Sequence, residues 1–493
     1  MEKLILKGCE SLVEVHPSVG DLVKLEVLSL GGCFNLRKFP NTLKTKSLQT
    51  LELYGCSKLE KFPDIDVKME HLEVLPLYGT AIKELPTSIE NLVFVKRIDL
   101  SFCKNLMRLS SHIYKLKNLE YFCLEGCSNL ITFPKNMEDS TDLDGRMGFQ
   151  KLRHLVLRRC NLSEVEFLKS SSSFPKLKCL DLQYNKFAGL PTCIKYYRLN
   201  ELNVDGCELL QEIPQLPPSI DELAANCCKS LQNLPDLWGQ SNHTQRVRLA
   251  SCCELFRKGV NMDDVANVSL LKKLPKMKDG VDIVLIGREM PKWILPCEED
   301  SISFMVARDL YDKLKGLAIC VVFSPEEGKV VHYSCDYTIL VNGQRVIGGM
   351  RLFYPMESDH VWLRCFLESF KGGLQKDWIH FQVCLSAEKG SIKKRGFHLI
   401  CEQKEDDLRV VFPAPSVDGE KLKFSWSDSE EYSPIDTMGS DTSSIDTMGS
   451  DTSSIDTTME SDTSSIDTME SDILFEISAG ESSSPLTMKL SRS

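Results

Sequence analysis

Cysteine is the residue in this 493-residue chain whose number and spacing could do chemistry: there are twenty. Eight fall on one ladder, at Cys9, Cys33, Cys56, Cys103, Cys127, Cys160, Cys207 and Cys228, and Thr80 and Asn185 occupy the rungs that lack one. Successive rungs lie 24, 23, 24, 23, 24, 33, 25, 22 and 21 residues apart. Thiols in a row could bind metal, pair as disulfides, or donate to backbone groups. No two cysteines have C-x-x-C spacing, so neither a zinc ribbon nor a redox pair is signalled. Thr and Asn keep a small polar group but not sulfur. The position therefore calls for a hydrogen-bonding side chain that satisfies buried backbone groups. Parallel side chains and the lack of an export signal disfavour bridges between neighbours.

The element that positions each rung is written around it. "LSLGGCFNLRKFP" (28–40), "LELYGCSKLEKFP" (51–63) and "FCLEGCSNLITFP" (122–134) restate one phrase, close to L-x-x-L-x-L-x-x-C-x-x-L. Ten copies at a period of 20–29 define a leucine-rich-repeat solenoid. In "LQTLELYGC", Leu48, Leu51 and Leu53 point inward from a short strand while Glu52 and Tyr54 point outward. One repeat cannot bury that leucine face, but stacked neighbours can. Copies continue as in "IKELPTSIENLVFV" (82–95), where proline opens a convex segment that is irregular or a short helix. The polar stretch 136–150 accounts for the one 33-residue spacing as a loop insertion. The first copy starts at Met1 without a polar cover, so the chain reads as the latter part of something longer.

The expected class is an α/β leucine-rich-repeat solenoid at 1–249, an all-β sandwich at 250–423, and a disordered acidic tail at 424–493. The sandwich, of jelly-roll or immunoglobulin-like kind, rests on eight strand-like runs with little helix between them. They begin at Val281, Ser301, Leu317, Tyr337, His360, Trp378, Gly396 and Leu408, and Asn342-Gly343 makes a hairpin turn in the fourth. Fifteen acidic and two basic residues lie in 424–493, a tandem Ser/Thr/Asp repeat unable to bury a core. The rest holds 57 basic against 55 acidic residues, so the net charge of −11 belongs to the tail. A nearly neutral body argues against nucleic acid, and the longest apolar run, 317–323, is too short to span a membrane.

The Cys-ended repeats with "LPTSI"-type continuations resemble those of intracellular plant immune receptors that carry a TIR domain and a nucleotide-binding switch. "GREMPKWI" (287–294) is similar to that family's P-G-x-E-I-P-x-W-F motif, matching at Gly287, Glu289, Pro291 and Trp293. It departs at Ile286 and Ile294, where the family has proline and an aromatic. "GLAICVVF" (316–323), "DHVWLRCF" (359–366) and "IKKRGFHLICEQ" (392–403) resemble later blocks of the family's post-repeat domain, C-JID. The sequence contains no G-x-x-x-x-G-K-[ST] phosphate loop and nothing resembling a TIR domain. The tail has no counterpart in the family pattern.

The resemblance implies a protein-recognition module, cytoplasmic or nuclear, that binds pathogen effector proteins through the concave repeat face and the post-repeat domain. A truncated regulatory or decoy form, or a general interaction scaffold, is the alternative. No enzyme activity is expected: the nine histidines are scattered and no G-x-S-x-G nucleophile motif occurs. No cofactor, metal, small-molecule substrate, nucleic acid or membrane partner is expected. Outward strand positions give the candidate partner-binding row: Lys7, Glu52, Tyr54, Tyr78, Arg97, Asp99, Glu125, Arg158, Asp181, Gln183 and Asp205. Tyr and Arg are the types enriched at interface hot spots.

Overall fold

Each copy of the phrase folds as a three-residue strand, and from the second copy on its central residue is buried. Leu28, Leu51, Leu75, Ile98, Phe122, Leu155, Leu180, Leu202 and Leu223 fill one column of the core. Neighbouring strands pair parallel and in register, as in Leu28↔Leu51 and Leu180↔Leu202. In the computed structural model, residues 1–136, 148–238, 244–277, 280–326, 333–353, 357–367, 377–401, 410–411, 473–475 and 490–492 are described. The chain divides into two units, Met1–Gly419 and Glu420–Ser493. Most of the insertion and most of the tail lie outside the described residues. In the second unit, Ile473–Phe475 pairs antiparallel with Leu490–Arg492.

Two local sequence features shape the ladder. Pro76 ends the strand Val74–Pro76 and has no N–H to donate. The strands Lys3–Ile5, Val27–Ser29 and Thr50–Glu52 accordingly form a sheet of their own, and a thirteen-stranded sheet begins at Val74–Pro76. The residue just before each ladder rung has a positive φ. It is glycine at 8, 32, 55, 79, 126 and 206, but Phe102, Arg159, Tyr184, Cys227 and Ser251 elsewhere. From this left-handed corner the N–H reaches the next repeat, as in Gly55→Tyr78 O at 2.8 Å and Tyr184→Asp205 O at 2.8 Å.

On the side away from the strands, the repeats carry short 3-10 turns such as Thr87–Asn91 and Thr192–Tyr196. No α-helix occurs among the described residues of 1–249. This corrects the helical half of the expected α/β class: repeats of 21 to 25 residues, opened by a proline, leave only one or two turns of chain there. At the wide spacing, Tyr114, Phe133, Phe149, Phe167 and Phe174 fill the gap with ring contacts, Tyr114–Phe149 at 4.8 Å among them.

Arg246–Leu249 is another repeat strand, and Cys252 beyond it acts as a further rung, donating to Ala225 O at 3.0 Å. Three short helices follow, Cys253–Arg257, Met262–Val265 and Val268–Lys273, ahead of the first strand run at Val281. They return the chain so that Val281–Ile286 pairs parallel with Arg246–Leu249. The sheet then continues antiparallel through His360–Phe366, Leu314–Pro325, Gly390–Cys401 and Leu295–Cys297.

A second sheet, of five strands, is ordered Gln344–Phe353, Tyr333–Val341, Trp378–Glu388, Ile302–Ala307 and Val410–Val411. Asn342 and Gly343, with φ of 50° and 79°, turn its first hairpin as the sequence indicates. Alternation assigns the faces. Ile283, Leu285, Ala318, Cys320 and Leu363 face the repeat core, whereas Val284, Ile319, Val321 and Trp362 face a second core with Phe304, Ile339 and Phe381 of the five-stranded sheet. One sheet thus serves both cores. The face that the repeats leave open is the face that the second sheet covers.

Candidate functional site

The ladder residues are structural. Sγ–H of Cys33, Cys56, Cys103, Cys127, Cys160, Cys207 and Cys228 donates to a carbonyl of the preceding repeat at 3.0–3.3 Å. Asn185 does the same to Leu157 O at 2.8 Å, and its Oδ1 accepts from Leu162 N at 2.9 Å. Burial pushes the Cys56 and Cys207 thiols up to about 12, which keeps them protonated and able to donate. Every cysteine is unpaired, and no group of three or more His, Cys, Asp or Glu could hold a metal ion among the described residues.

The open strand face carries the candidate row, and its members fall into distinct groups. Near its start, the Tyr54 and Tyr78 rings stack at 5.0 Å and Tyr54 lies flat across Gly31. A Cβ at residue 31 would stand 2.3 Å from that ring. Lys7 reaches over from the first repeat, its ammonium 5.6 Å from the Tyr54 ring centroid, and hydrogen bonding to Tyr54 raises its pKa. Glu52 accepts from Ser29 Oγ, and Asp99 from Ser101 N at 2.9 Å. Arg97 lies 4.3 Å over the Tyr121 ring. Further along, Arg158 bridges Glu125 at 3.4 Å and Asp181 at 3.2 Å.

Gln183 and Asp205 are corrections. Both were expected at the surface, yet they are 6 % and 2 % exposed. Gln183 donates to Asp181 at 3.1 Å. Asp205 accepts from the backbone N of Asn226 at 2.6 Å and from its side chain at 3.2 Å, while Asn226 Oδ1 accepts from Ala250 N at 3.0 Å. This buried polar ladder fixes the spacing of the last repeats and is closed to a partner.

Sequence reasoning missed the far end of the face. Arg246 and Arg248 on the added strand both pair with Glu222, at 3.0 and 2.7 Å. Arg351 and Arg364 both approach Asp282 Oδ2 at 3.4 Å, and Trp362 Nε1 donates to its Oδ1 at 3.1 Å. "RVRLASC" has Val247, Leu249 and Cys252 in repeat phase, which was the available signal for the first pair. The motif "GREMPKWI" is structural: Trp293 Nε1 donates to Ala266 O at 2.8 Å, Ile294 is buried, and Glu289 pairs with Lys394 at 2.8 Å.

The family model for disease resistance protein RPS4B-like leucine-rich repeats matches residues 44–258. Residues 44–258 are thus similar to the leucine-rich repeats of RPS4B-like disease resistance proteins. TMV resistance protein N of Nicotiana glutinosa is 30 % identical over 65 % of this chain and 32 % of its own length. Disease resistance-like protein DSC1 of Arabidopsis thaliana is 34 % identical over 48 % and 22 %. Disease resistance protein RPS4B, also of Arabidopsis thaliana, is 32 % identical over 66 % and 25 %. The chain therefore spans a third or less of the length of these curated relatives. No helix among the described residues is long and apolar enough to cross a membrane.

Proposed function

We propose that this chain is the protein-recognition module of an intracellular plant immune receptor, working in the cytoplasm or nucleus. The partner is a pathogen effector protein, bound on the open strand face together with the two-sheet part that covers its end. Residues 250–423 are read here as a β-sandwich of the C-JID kind, and catalysis is assigned to no residue of the chain. One observation carries the reading: the face of a disease-resistance repeat array is left open along its strands and bears partly exposed Tyr78 and Arg158. Side chains of these types, held by stacking and by paired carboxylates, lose little rotamer freedom on binding.

The test is binding of the full chain to a panel of purified pathogen effector proteins. Tyr78→Ala and Arg158→Ala should each weaken a genuine complex by about 2 kcal/mol, roughly thirtyfold in Kd. Lys83→Glu should change it little, because Lys83 lies off the strands and pairs in solvent with Glu60. A complex indifferent to both face variants would remove the reading.

A further inference from the structure

The two arginine pairs at the end of the open face form one corner. Arg246 and Arg248 come from the last repeat strand, Arg351 from the edge strand of the second sheet, and Arg364 from the strand beside Val281–Ile286. Among the described residues these four guanidinium groups pair with two carboxylates, Glu222 and Asp282. Asp282 is already engaged at both oxygens, since Oδ1 takes Trp362 Nε1 while Oδ2 is shared between Arg351 and Arg364. Glu222 is likewise divided between Arg246 and Arg248.

Donors are left over. The Nε atoms of Arg248 and Arg364 are buried and meet no acceptor among the described residues. Arg351 Nε, although 3.4 Å from Asp282 Oδ2, is not aligned to hydrogen-bond with it. Side chains of Arg248, Arg351 and Arg364 nevertheless stay 27 %, 23 % and 28 % exposed, so an incoming group can reach them. Burial, and the nearby charges of Arg248 and Arg364, pull the Arg351 pKa down. Arg351 and Arg364 also lie beside the aromatic rings of Phe353 and Phe366, at 5.8 and 5.5 Å from the centroids, which limits their freedom. Crowded, oriented and under-compensated guanidinium forks suit a planar oxyanion with two acceptor oxygens.

We infer that the Arg248–Arg351–Arg364 corner is a carboxylate-binding subsite that seats an Asp or Glu side chain from an acidic loop of the protein partner. This rests on the reading of the face as a protein-recognition surface and names the chemistry of one part of the partner. The subsite draws on both the repeats and the second sheet, so it exists only where the two meet. A partner carboxylate entering it meets guanidinium groups that outnumber the carboxylates paired with them and relieves their repulsion.

The experiment uses the full chain and a capped, labelled oligoglutamate peptide, followed by fluorescence anisotropy at low salt. Arg364→Gln should weaken saturable binding about tenfold or more, and Lys83→Gln, off the strands and paired in solvent with Glu60, should not. Because Arg364→Gln leaves Asp282 with fewer partners, Arg351→Lys, which keeps charge and loses the fork, carries the test if the first variant fails to fold. A several-fold loss is expected of it. Binding that is equal in wild type and variants, or absent, overturns the proposal. So does inorganic phosphate displacing the peptide at far lower concentration than acetate does, since that would make the site a phosphate site. An effector complex lost with Tyr78→Ala but untouched by Arg364→Gln would remove the subsite and leave the proposed function standing. Oligoglutamate binding that depends on Arg364, with no effector complex dependent on Tyr78 or Arg158, would do the reverse.

Discussion

Cys56 shows what the recurring thiol is for. It is fully buried, gives its hydrogen to Leu30 O at 3.3 Å, and is held protonated by a pKa of about 12. Cys56→Ser should therefore keep the fold within about 1 kcal/mol, whereas Cys56→Leu should cost roughly 1–3 kcal/mol through overpacking and an orphaned carbonyl. Urea denaturation of both variants checks this. If Ser proved as damaging as Leu, the thiol would be serving as packing alone. The donor role was legible in the sequence because Thr80 and Asn185 share the position. Burial of Gln183 and Asp205 was not, since alternation tells which face a residue takes but not what the next repeat lays over it. A second residue-scale test is Gly206→Ala. Gly206 has φ +67°, and a Cβ there would stand 2.4 Å from the Tyr184 ring. The left-handed backbone alone should cost about 1–2 kcal/mol, so a melting temperature equal to wild type would contradict the described corner.

Among the elements, the seam between the last repeat and the antiparallel strands that extend its sheet is sealed by a histidine. In the repeats before it, the left-handed N–H finds a carbonyl of the following copy, as Cys227 N finds Ala250 O at 2.8 Å. At Ser251 that carbonyl is replaced by Nε2 of His360, at 3.0 Å. His360 Nδ1 sits 2.7 Å from Ser358 O, so the neutral ring donates at one nitrogen and accepts at the other. Burial lowers its pKa to about 4, against a weaker pull upward from the Ser358 carbonyl and Asp359. The unfolded chain binds this proton near 6.5 and the folded chain only near 4, so stability is full above pH 6.5 and is lost as pH falls towards 4. The loss approaches about 3 kcal/mol at the lower limit. His360→Gln should flatten that part of the pH–stability curve, and an unchanged slope would show that another group titrates. No motif announced this cap. His360 was visible only as the start of an apolar run, and its acceptor role depends on a contact 109 residues away in sequence.

For the unit Met1–Gly419 as a whole, the consequence is energetic continuity. The strand runs at 281, 302, 360 and 378 were legible from β-rich composition, as was the hairpin at Asn342-Gly343. Their partners were not. Nothing local states that Val281–Ile286 lies parallel against Arg246–Leu249 after a crossover of three short helices. Leu285 sits at that junction, fully buried, opposite Leu249 and in the repeat core. Leu285→Ala should cost about 2–5 kcal/mol, the range for a buried leucine. In a stack where each layer contacts its neighbours, the damage should spread and fade with distance. Hydrogen exchange should show protection falling most in Arg246–Leu249 and Glu222–Ala224, less in Cys179–Asp181, and little in Val27–Ser29. Loss confined to residues after 281, with the last repeats as protected as in wild type, would mean that the two parts share a sheet without sharing stability. The arginine corner would then have no rigid frame, because two of its guanidinium groups come from one side of the junction and two from the other.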